Sequence, residues 1–216
     1  MRFAVGAPLG DYGPTVAPLK PGPIVVASSA GRQAMVAQWG MIPPHSTSRI
    51  PILPNGQRLS TNNARRERMA TAPTYRDAWR NGQRCIIAAD SFDEPYWGTG
   101  KNIWWRFWRA DGQPWALAGL WSQWVDPATG EVVPSYTMIT QNCDGHALLA
   151  LMHKPDPKLP ADQQDKRTVV SLEPEHWDTW LLGSAQDAEA LIALPDEALF
   201  RHGAADPTRL VQLPLI

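Results

Sequence analysis

Amide, guanidinium and carboxylate side chains follow one another closely at 62–67, which reads N-N-A-R-R-E. A carboxamide beside an arginine can hold an anion or a sugar phosphate in fixed geometry. The same residues also fit the start of a helix, with Asn63 as the capping residue and Glu67 in the first turn. On spacing alone, the capping interpretation is favoured over a binding role.

A second polar group comes directly after the apolar run 84–89, which predicts a buried strand. The next residues, 90–95, read D-S-F-D-E-P and include Glu94. A carboxylate at the end of a core strand suits general acid–base catalysis, because burial raises its pKa towards neutrality. Asp, Ser and Pro are also common turn residues, so an ordinary turn explains this segment as well.

His153 is the third candidate, at the end of the stretch 144–152, whose composition predicts a helix. A lone histidine in that position is more often a helix-end residue than a catalyst. The other histidines and the two cysteines show no metal-ligand spacing. We therefore expect neither a metal site nor a cofactor.

The composition limits the class of protein. The chain has 216 residues and a formal net charge of −1, which argues against a broad polyanion-binding surface but permits a local basic groove. No apolar run approaches the roughly 20 residues that span a bilayer, and the first residues show no secretory pattern. We expect a cytoplasmic monomer that does not associate with membranes and keeps its cysteines reduced.

Tryptophan and proline are both abundant, at 11 and 21 residues. Dense tryptophans usually build a core and its rim, but they also offer stacking platforms for bases or sugars. A non-catalytic single-stranded DNA-binding protein is therefore one alternative to an enzyme. A carbohydrate-binding β domain is another, supported by the tryptophan count alone.

The elements that would position the candidate residues form one α+β domain dominated by antiparallel sheet. The predicted strands are 23–28, 34–41, 84–89, 102–109, 115–124 and 135–140, the predicted helices are 71–79, 144–152, 173–182 and 185–194, a long loop covers 45–60, and an edge strand is expected at 208–213. The domain covers 1–216, with an irregular N-terminal arm at 1–22 and a C-terminal helix and tail at 183–216.

The order of these segments resembles that of the SOS-response-associated peptidase family, also called abasic site processing proteins, over 11–182. The matching tracts are Q-W-G at 38–40, N-A-R-x-E at 63–67, Q-R-C-I at 83–86, D-x-F-x-E-P at 90–95, A-G-L-W at 118–121, Y-T-M-I-T at 136–140, H-K-P at 153–155 and R-T-V-V at 167–170. An ordered series of this kind is far more specific than a single motif. It implies a twisted antiparallel, barrel-like sheet with a few short flanking helices.

The resemblance also implies roles for three catalytic residues and a substrate, single-stranded DNA that contains abasic sites. Asn63 would position the N-terminal residue and the sugar. Glu94 would transfer protons during attack on the aldehyde and during release of the initiator methionine. His153 would assist opening of the sugar ring.

Four further residues would bind the DNA strand. Arg65 would hold a flanking phosphate. Trp39 and the prolines that follow it, beginning with Pro43, would shape the strand-binding surface. The segment after His153 is longer than is usual in the family, which leaves Lys154 as the nearest cation there.

One feature of the family is missing from this sequence. Family members begin with Met-Cys, and after self-removal of the methionine the cysteine's amine and thiol close a thiazolidine on the abasic aldehyde. This sequence begins Met1-Arg2, so the true start lies upstream, the chain has been trimmed, or the protein is a degenerate paralogue. We favour an upstream start and expect these 216 residues not to crosslink DNA. Cys85 and Cys143 lie mid-chain, without an α-amine beside the thiol, and cannot substitute. The implied class is a peptidase- or lyase-like DNA-repair protein of the SOS response that lacks its nucleophile.

Overall fold

The computed structural model of the protein describes residues 12–206. The expected edge strand at 208–213 lies outside the described residues, as does the first half of the N-terminal arm expected at 1–22. Two compact units make up the described chain. The first comprises the described residues up to Ala88 with Ala116–Thr140 and Val169–Ala193, and the second comprises Ala89–Trp115, Gln141–Thr168 and the described residues from Leu194. The assignment of 1–216 to one domain stays a prediction.

Short strands dominate the secondary structure. The strands are β1 (Pro21–Ser28), β2 (Gly31–Trp39), β3 (Asn63–Arg65), β4 (Arg84–Ala89), β5 (Phe92–Tyr96), β6 (Ile103–Arg109), β7 (Trp115–Val125), β8 (Val132–Asn142), β9 (Arg167–Val169) and β10 (Phe200–Ala204). The α-helices are α1 (Arg66–Met69), α2 (Arg76–Arg80), α3 (Trp177–Leu182) and α4 (Ala185–Ala190). Among the described residues, no helix is long and apolar enough to cross a bilayer.

The larger sheet has the order β2-β1-β4-β7-β8-β3, with β9 paired to β8. An additional pairing of β2 with β8 closes β2, β1, β4, β7 and β8 into a barrel-like sheet. The predicted fold class, α+β with a barrel-like, mainly antiparallel sheet and a few short helices, is confirmed. The pairings of β2 and β3 with β8 are parallel, which the sequence did not indicate.

Buried aliphatic and aromatic side chains form the core of the first unit. Ile86, Leu120, Ile139 and Trp180 all belong to it and have no exposed surface. The Trp180 indole N–H also donates to the backbone carbonyl of Cys85 at 2.9 Å, which ties α3 to β4. Burial of a large side chain of this kind contributes about 1.5–3 kcal/mol to the stability of the fold.

The smaller sheet belongs to the second unit and has the order β10-β6-β5, with antiparallel pairing throughout. Side chains alternate between its two faces, as in any strand. One face packs Phe107 against a cluster that includes Cys143, Leu149 and Met152. We call this the inner face; it also carries Glu94, whose register partner is Trp105 on β6.

Four short strands, β3, β5, β9 and β10, were not predicted from the sequence. β3 has three residues, of which only Ala64 is apolar and buried. β5 contains Asp93, Glu94 and Pro95, which are unfavourable in strands, so the turn interpretation of 90–95 is wrong for Phe92–Tyr96. β10 lies where a helix and tail were expected.

The helix predicted at 144–152 is also wrong, because only a single 3-10 turn forms there, at Leu149–Leu151. Side-chain acceptors compete with the helix for backbone donors. The Asn142 side-chain oxygen accepts the N–H of Asp144 at 3.0 Å, and His146 Nδ1 accepts the N–H of Leu149 at 3.2 Å. Such local bonds offer the backbone an alternative to helical pairing.

Candidate functional site

Glu94 and His153 lie side by side in the second unit, with Glu94 Oε2 3.4 Å from His153 Nε2. The backbone holds them there. The N–H of Trp97 donates to the carbonyl of Leu151 at 2.9 Å, and the N–H of His153 donates to the carbonyl of Pro95 at 2.6 Å. These bonds join the end of β5 to the chain before His153, so two residues far apart in sequence become a fixed pair.

Aromatic rings flank Glu94 on the inner face of the smaller sheet. Phe92 stacks on Phe107 with ring centroids 5.2 Å apart, and Tyr96 stacks on Trp105 at 4.7 Å. Glu94 lies between these ring pairs along β5, and its side chain is 22% exposed. The rings exclude water from the carboxyl while leaving it a path to solvent.

The pKa of Glu94 is raised to about 8, first because of burial and second because the charge of Asp93 is close. Asp93 itself points to the opposite face of β5, where its two carboxylate oxygens accept from Arg106 at 2.6 and 2.8 Å. Asp93 and Glu94 are thus adjacent in sequence but lie in different environments on opposite faces of β5. Near neutral pH, Glu94 carries a proton that it can donate.

His153 has a left-handed backbone, with φ of 59°. This conformation costs a non-glycine residue about 1 kcal/mol or more, so neighbouring groups must maintain it. The Lys166 ammonium donates to the carbonyl of His153 at 2.5 Å. Burial lowers the pKa of His153, and the positive charge of Lys166 lowers it further. Near neutral pH, the imidazole is therefore uncharged and can accept a proton from a partner.

Asn63 and Arg65 lie in the first unit on the exposed face of β3, while Ala64 between them is buried. Parallel pairing with β8 sets Asn63 opposite Met138 and fixes this orientation. The capping interpretation of Asn63 is wrong, because α1 starts after Arg65 and has no side-chain cap. Arg65 Nη1 lies 3.9 Å from Glu67 Oε1, and both side chains are more than half exposed. An amide and a guanidinium therefore point to the same side of a rigid strand.

Trp39 and Pro43 flank the start of β3. The indole N–H of Trp39 donates to the carbonyl of Asn62 at 2.8 Å, and the N–H of Met138 donates to the same oxygen at 3.0 Å. Trp39 thus holds the residue directly before β3. Pro43 is half-buried, and its carbonyl accepts from the N–H of Ser46 at 3.0 Å. Trp39 therefore supports the backbone that presents Asn63, whereas the bond of Pro43 lies within its own loop.

Lys154 is exposed, and its ammonium lies 5.7 Å from the ring centroid of Trp97. The cation and the ring together form a small surface beside His153. The sequence did not single out Trp97, because one aromatic residue among many carries no positional signal. It did not reveal Lys166 either, since nothing in its neighbours indicates that this lysine is buried and bonded to the carbonyl of His153.

Both cysteines are free and fully buried. Burial raises the pKa of the Cys85 thiol, and it raises the pKa of the Cys143 thiol to about 12. The reactive form of cysteine is the thiolate, so neither residue is a competent nucleophile near neutral pH.

Solved structures with the same architecture support the fold. A protein from Bordetella bronchiseptica is 33% identical, with a TM-score of 0.79 and an alignment that covers 92% of this chain and 90% of that one. A protein from Bacteroides thetaiotaomicron is 19% identical, with a TM-score of 0.69 and coverage of 90% and 78%. The second likeness concerns the fold alone.

Two vertebrate relatives are named abasic site processing protein HMCES. The Gallus gallus protein is 27% identical over 165 residues, which are 61% of this chain and 46% of the relative. The Xenopus tropicalis protein is 29% identical over 136 residues, which are 53% of this chain and 38% of the relative. The chain therefore aligns with less than half the length of these relatives.

A family model described as SOS response associated peptidase (SRAP) matches residues 11–203. The match contains every candidate residue described above, from Trp39 to Lys154. It also includes β5 and the residues before His153, where the carbonyl of Leu151 accepts from the N–H of Trp97. The resemblance inferred from the ordered tracts is confirmed, and this chain belongs to the SOS response associated peptidase family.

Proposed function

We propose that this protein processes abasic sites in single-stranded DNA and that Glu94 and His153 move protons at the abasic sugar. One observation carries the proposal. Glu94 Oε2 lies 3.4 Å from His153 Nε2, in surroundings that raise the pKa of the carboxyl and lower that of the imidazole. An uncharged acid beside an uncharged base is the arrangement that concerted proton transfer requires.

The first step is the opening of the sugar ring. A closed abasic sugar becomes an aldehyde when its C1′ hydroxyl loses a proton and its ring oxygen gains one. His153 accepts the first proton, Glu94 supplies the second, the bond from C1′ to the ring oxygen breaks, and a C1′ carbonyl forms. The imidazolium then returns its proton to the neighbouring carboxylate, so the pair is restored without outside reagents.

The covalent step belongs to a form of the protein that presents an N-terminal cysteine. There the α-amine condenses with the aldehyde and releases water, and the thiol then adds to the imine to close a thiazolidine. Cys85 and Cys143 are buried and have no α-amine beside them. Neither of these two cysteines can therefore form that crosslink.

The remaining candidate residues hold the strand. Arg65 binds a flanking phosphate, and Asn63 on the same exposed face positions the sugar and the N-terminal residue. Trp39 and Pro43 shape the surface before β3. Lys154 supplies a further cation near His153. On this proposal the protein acts as a cytoplasmic monomer.

The test compares three oligonucleotides that are identical except at one position, which carries a normal nucleotide, an abasic site or a tetrahydrofuran analogue that cannot open. The proposal expects tighter binding to both abasic forms than to normal DNA. It also expects a heat-stable crosslink with the natural abasic site for a variant to which an N-terminal Met-Cys has been added. Equal affinity for all three strands, together with no crosslink by the variant that carries Met-Cys, would overturn it.

The second candidate is a non-catalytic single-strand binder, which the exposed Arg65 side chain on β3 and the exposed Trp104 favour. Its affinity would fall with rising salt and would ignore abasic sites. The normal strand in the same experiment distinguishes the two candidates. A protein that binds all three strands alike, with a steep salt dependence, belongs to this second class.

A further inference from the structure

The outer face of the smaller sheet, opposite the one that carries Glu94, displays aromatic and basic side chains. Trp104, Arg106 and Trp108 alternate along β6 and therefore share this face. The register of β10 sets Arg201 beside Trp108 and Gly203 beside Arg106. We call the set of Trp104, Arg106, Trp108 and Arg201 the Trp–Arg face.

The Trp–Arg face is open to solvent. The Trp104 residue is 57% exposed, and Trp108 is half-buried. The guanidinium of the exposed Arg201 lies over the Trp108 ring, 5.1 Å from its centroid. A Cβ placed on Gly203 would meet no atom within 4 Å, so space remains beside Arg106.

Packing of the sheet does not require these tryptophans. The core of the second unit is built from the inner face, where Phe107 and Trp105 pack with their neighbours. Trp104 and Trp108 place two aromatic rings on one side of the sheet, and base stacking uses accessible rings of this kind.

Charge indicates the class of ligand. The carboxylate on this face, Asp93, is neutralised by two short bonds from Arg106 at 2.6 and 2.8 Å. Arg201 adds a positive charge beside the Trp108 ring. Flat rings with an adjacent cation favour a ligand that has flat bases and negative phosphates.

We propose that the Trp–Arg face binds single-stranded DNA, with bases stacked on Trp104 and Trp108 and a phosphate at Arg201. The proposal rests on the proposed function, since it adds a second contact for the same strand. Antiparallel sheets that carry exposed aromatic residues bind single strands in this way in other proteins. The Trp–Arg face would bind nucleotides that flank the abasic position.

The test measures fluorescence anisotropy of labelled, undamaged oligothymidylates of about 6 and about 18 nucleotides, a range that spans typical single-strand site sizes. The variants are Trp104→Ala, Trp108→Ala and Arg201→Gln. Trp104→Phe keeps a ring and is the conservative variant. Val125→Ala is the control, because Val125 is also 57% exposed but lies on β7.

Loss of one stacked base weakens binding about fivefold or more. We therefore expect each Trp→Ala variant to lose at least that factor on the long strand and little on the short one, while Trp104→Phe and Val125→Ala bind normally. Arg201→Gln should also reduce the slope of log affinity against log salt by about 0.7. Thermal unfolding should be unchanged for Trp104→Ala, since its ring is largely exposed.

The proposal is overturned if all three variants bind the long strand within twofold of the unaltered protein. It is also overturned if Trp104→Ala converts a dimer into a monomer without changing DNA affinity, because the face would then serve a second copy of the chain. The preference of the unaltered protein for abasic over normal short strands is measured in parallel. If the unaltered protein shows no such preference, the proposed function is refuted, whereas the proposal for the Trp–Arg face is unaffected.

Discussion

The Lys166 ammonium donates a hydrogen bond to the backbone carbonyl of His153 at 2.5 Å, so a buried cation lies directly behind the candidate proton acceptor. This contact has two consequences. It holds His153 in its left-handed conformation, and its positive charge lowers the pKa of the imidazole. Lys166 is therefore a positioning residue for the pair formed by His153 and Glu94.

Replacement of Lys166 by methionine tests this role. We expect the pKa of His153 to rise, because a neighbouring positive charge is lost, and the free energy of unfolding to fall by about 1–3 kcal/mol. The pKa is measured by NMR titration of the imidazole, and stability by urea unfolding. Lys158→Met, an exposed lysine elsewhere in the second unit, is the control. An unchanged His153 titration in Lys166→Met would contradict the assignment.

Glu94 makes stability depend on pH. Its pKa is about 8 in the native protein and near 4.5 in an unfolded chain, so between these values the native state binds a proton that the unfolded state has lost. The free energy of unfolding should therefore fall as pH rises from about 4.5 to about 8. At about 1.4 kcal/mol per pKa unit, the total change is on the order of a few kcal/mol.

Glu94→Gln should remove this dependence, because glutamine resembles the protonated acid at every pH. We expect the variant to match the unaltered protein near pH 5 and to exceed its melting temperature near pH 9. The control is Glu67→Gln, since Glu67 has a side chain that is 53% exposed. Parallel pH profiles for the unaltered protein and Glu94→Gln would show that Glu94 is not buried as a neutral acid.

Arg65 should contribute to DNA affinity through a phosphate. Arg65→Ala is expected to weaken binding of all single strands and to reduce the salt slope by about 0.7, with little change in stability, because its side chain is exposed. Arg68→Ala serves as the control, since Arg68 is also exposed but lies on α1 rather than on β3. Similar losses in both variants would point to a general charge effect instead of a site on β3.

The two thiols should be unreactive in the folded protein. Burial raises the pKa of both, so Ellman's reagent should modify Cys85 and Cys143 only when urea unfolds the chain. The measurement is the absorbance of released thiolate with and without denaturant. Rapid modification of either thiol in the native protein would reopen the question of a mid-chain nucleophile.

Much of the fold followed from local patterns, and the parts that did not have identifiable causes. The apolar run of β4 predicted its strand with the bounds that the structure has, Arg84–Ala89. β5 was missed because Asp93 and Glu94 disfavour strands, and only the bonds from β6 overcome that preference. Local sequence could not predict which strands β8 would pair with in parallel.

The candidate site was foreseen unevenly. Ordered tracts indicated Glu94 and His153, yet nothing local showed that their side chains lie 3.4 Å apart. That contact depends on backbone bonds from Trp97 and His153 to residues distant in sequence. Long-range backbone pairing of this kind brings the two side chains together, and it cannot be predicted from local patterns in a single sequence.

The central claim is that Glu94 donates a proton and His153 accepts one when an abasic sugar opens. The most direct measurement is the rate at which an alkoxyamine traps the opened aldehyde of an abasic single strand bound to the protein, followed from pH 5 to pH 10. We expect the unaltered protein to accelerate trapping, with a decline above about pH 8 as Glu94 ionises, and Glu94→Gln to be slower by about 100-fold or more. A Glu94→Gln rate equal to that of the unaltered protein, with the same pH profile, would contradict the account.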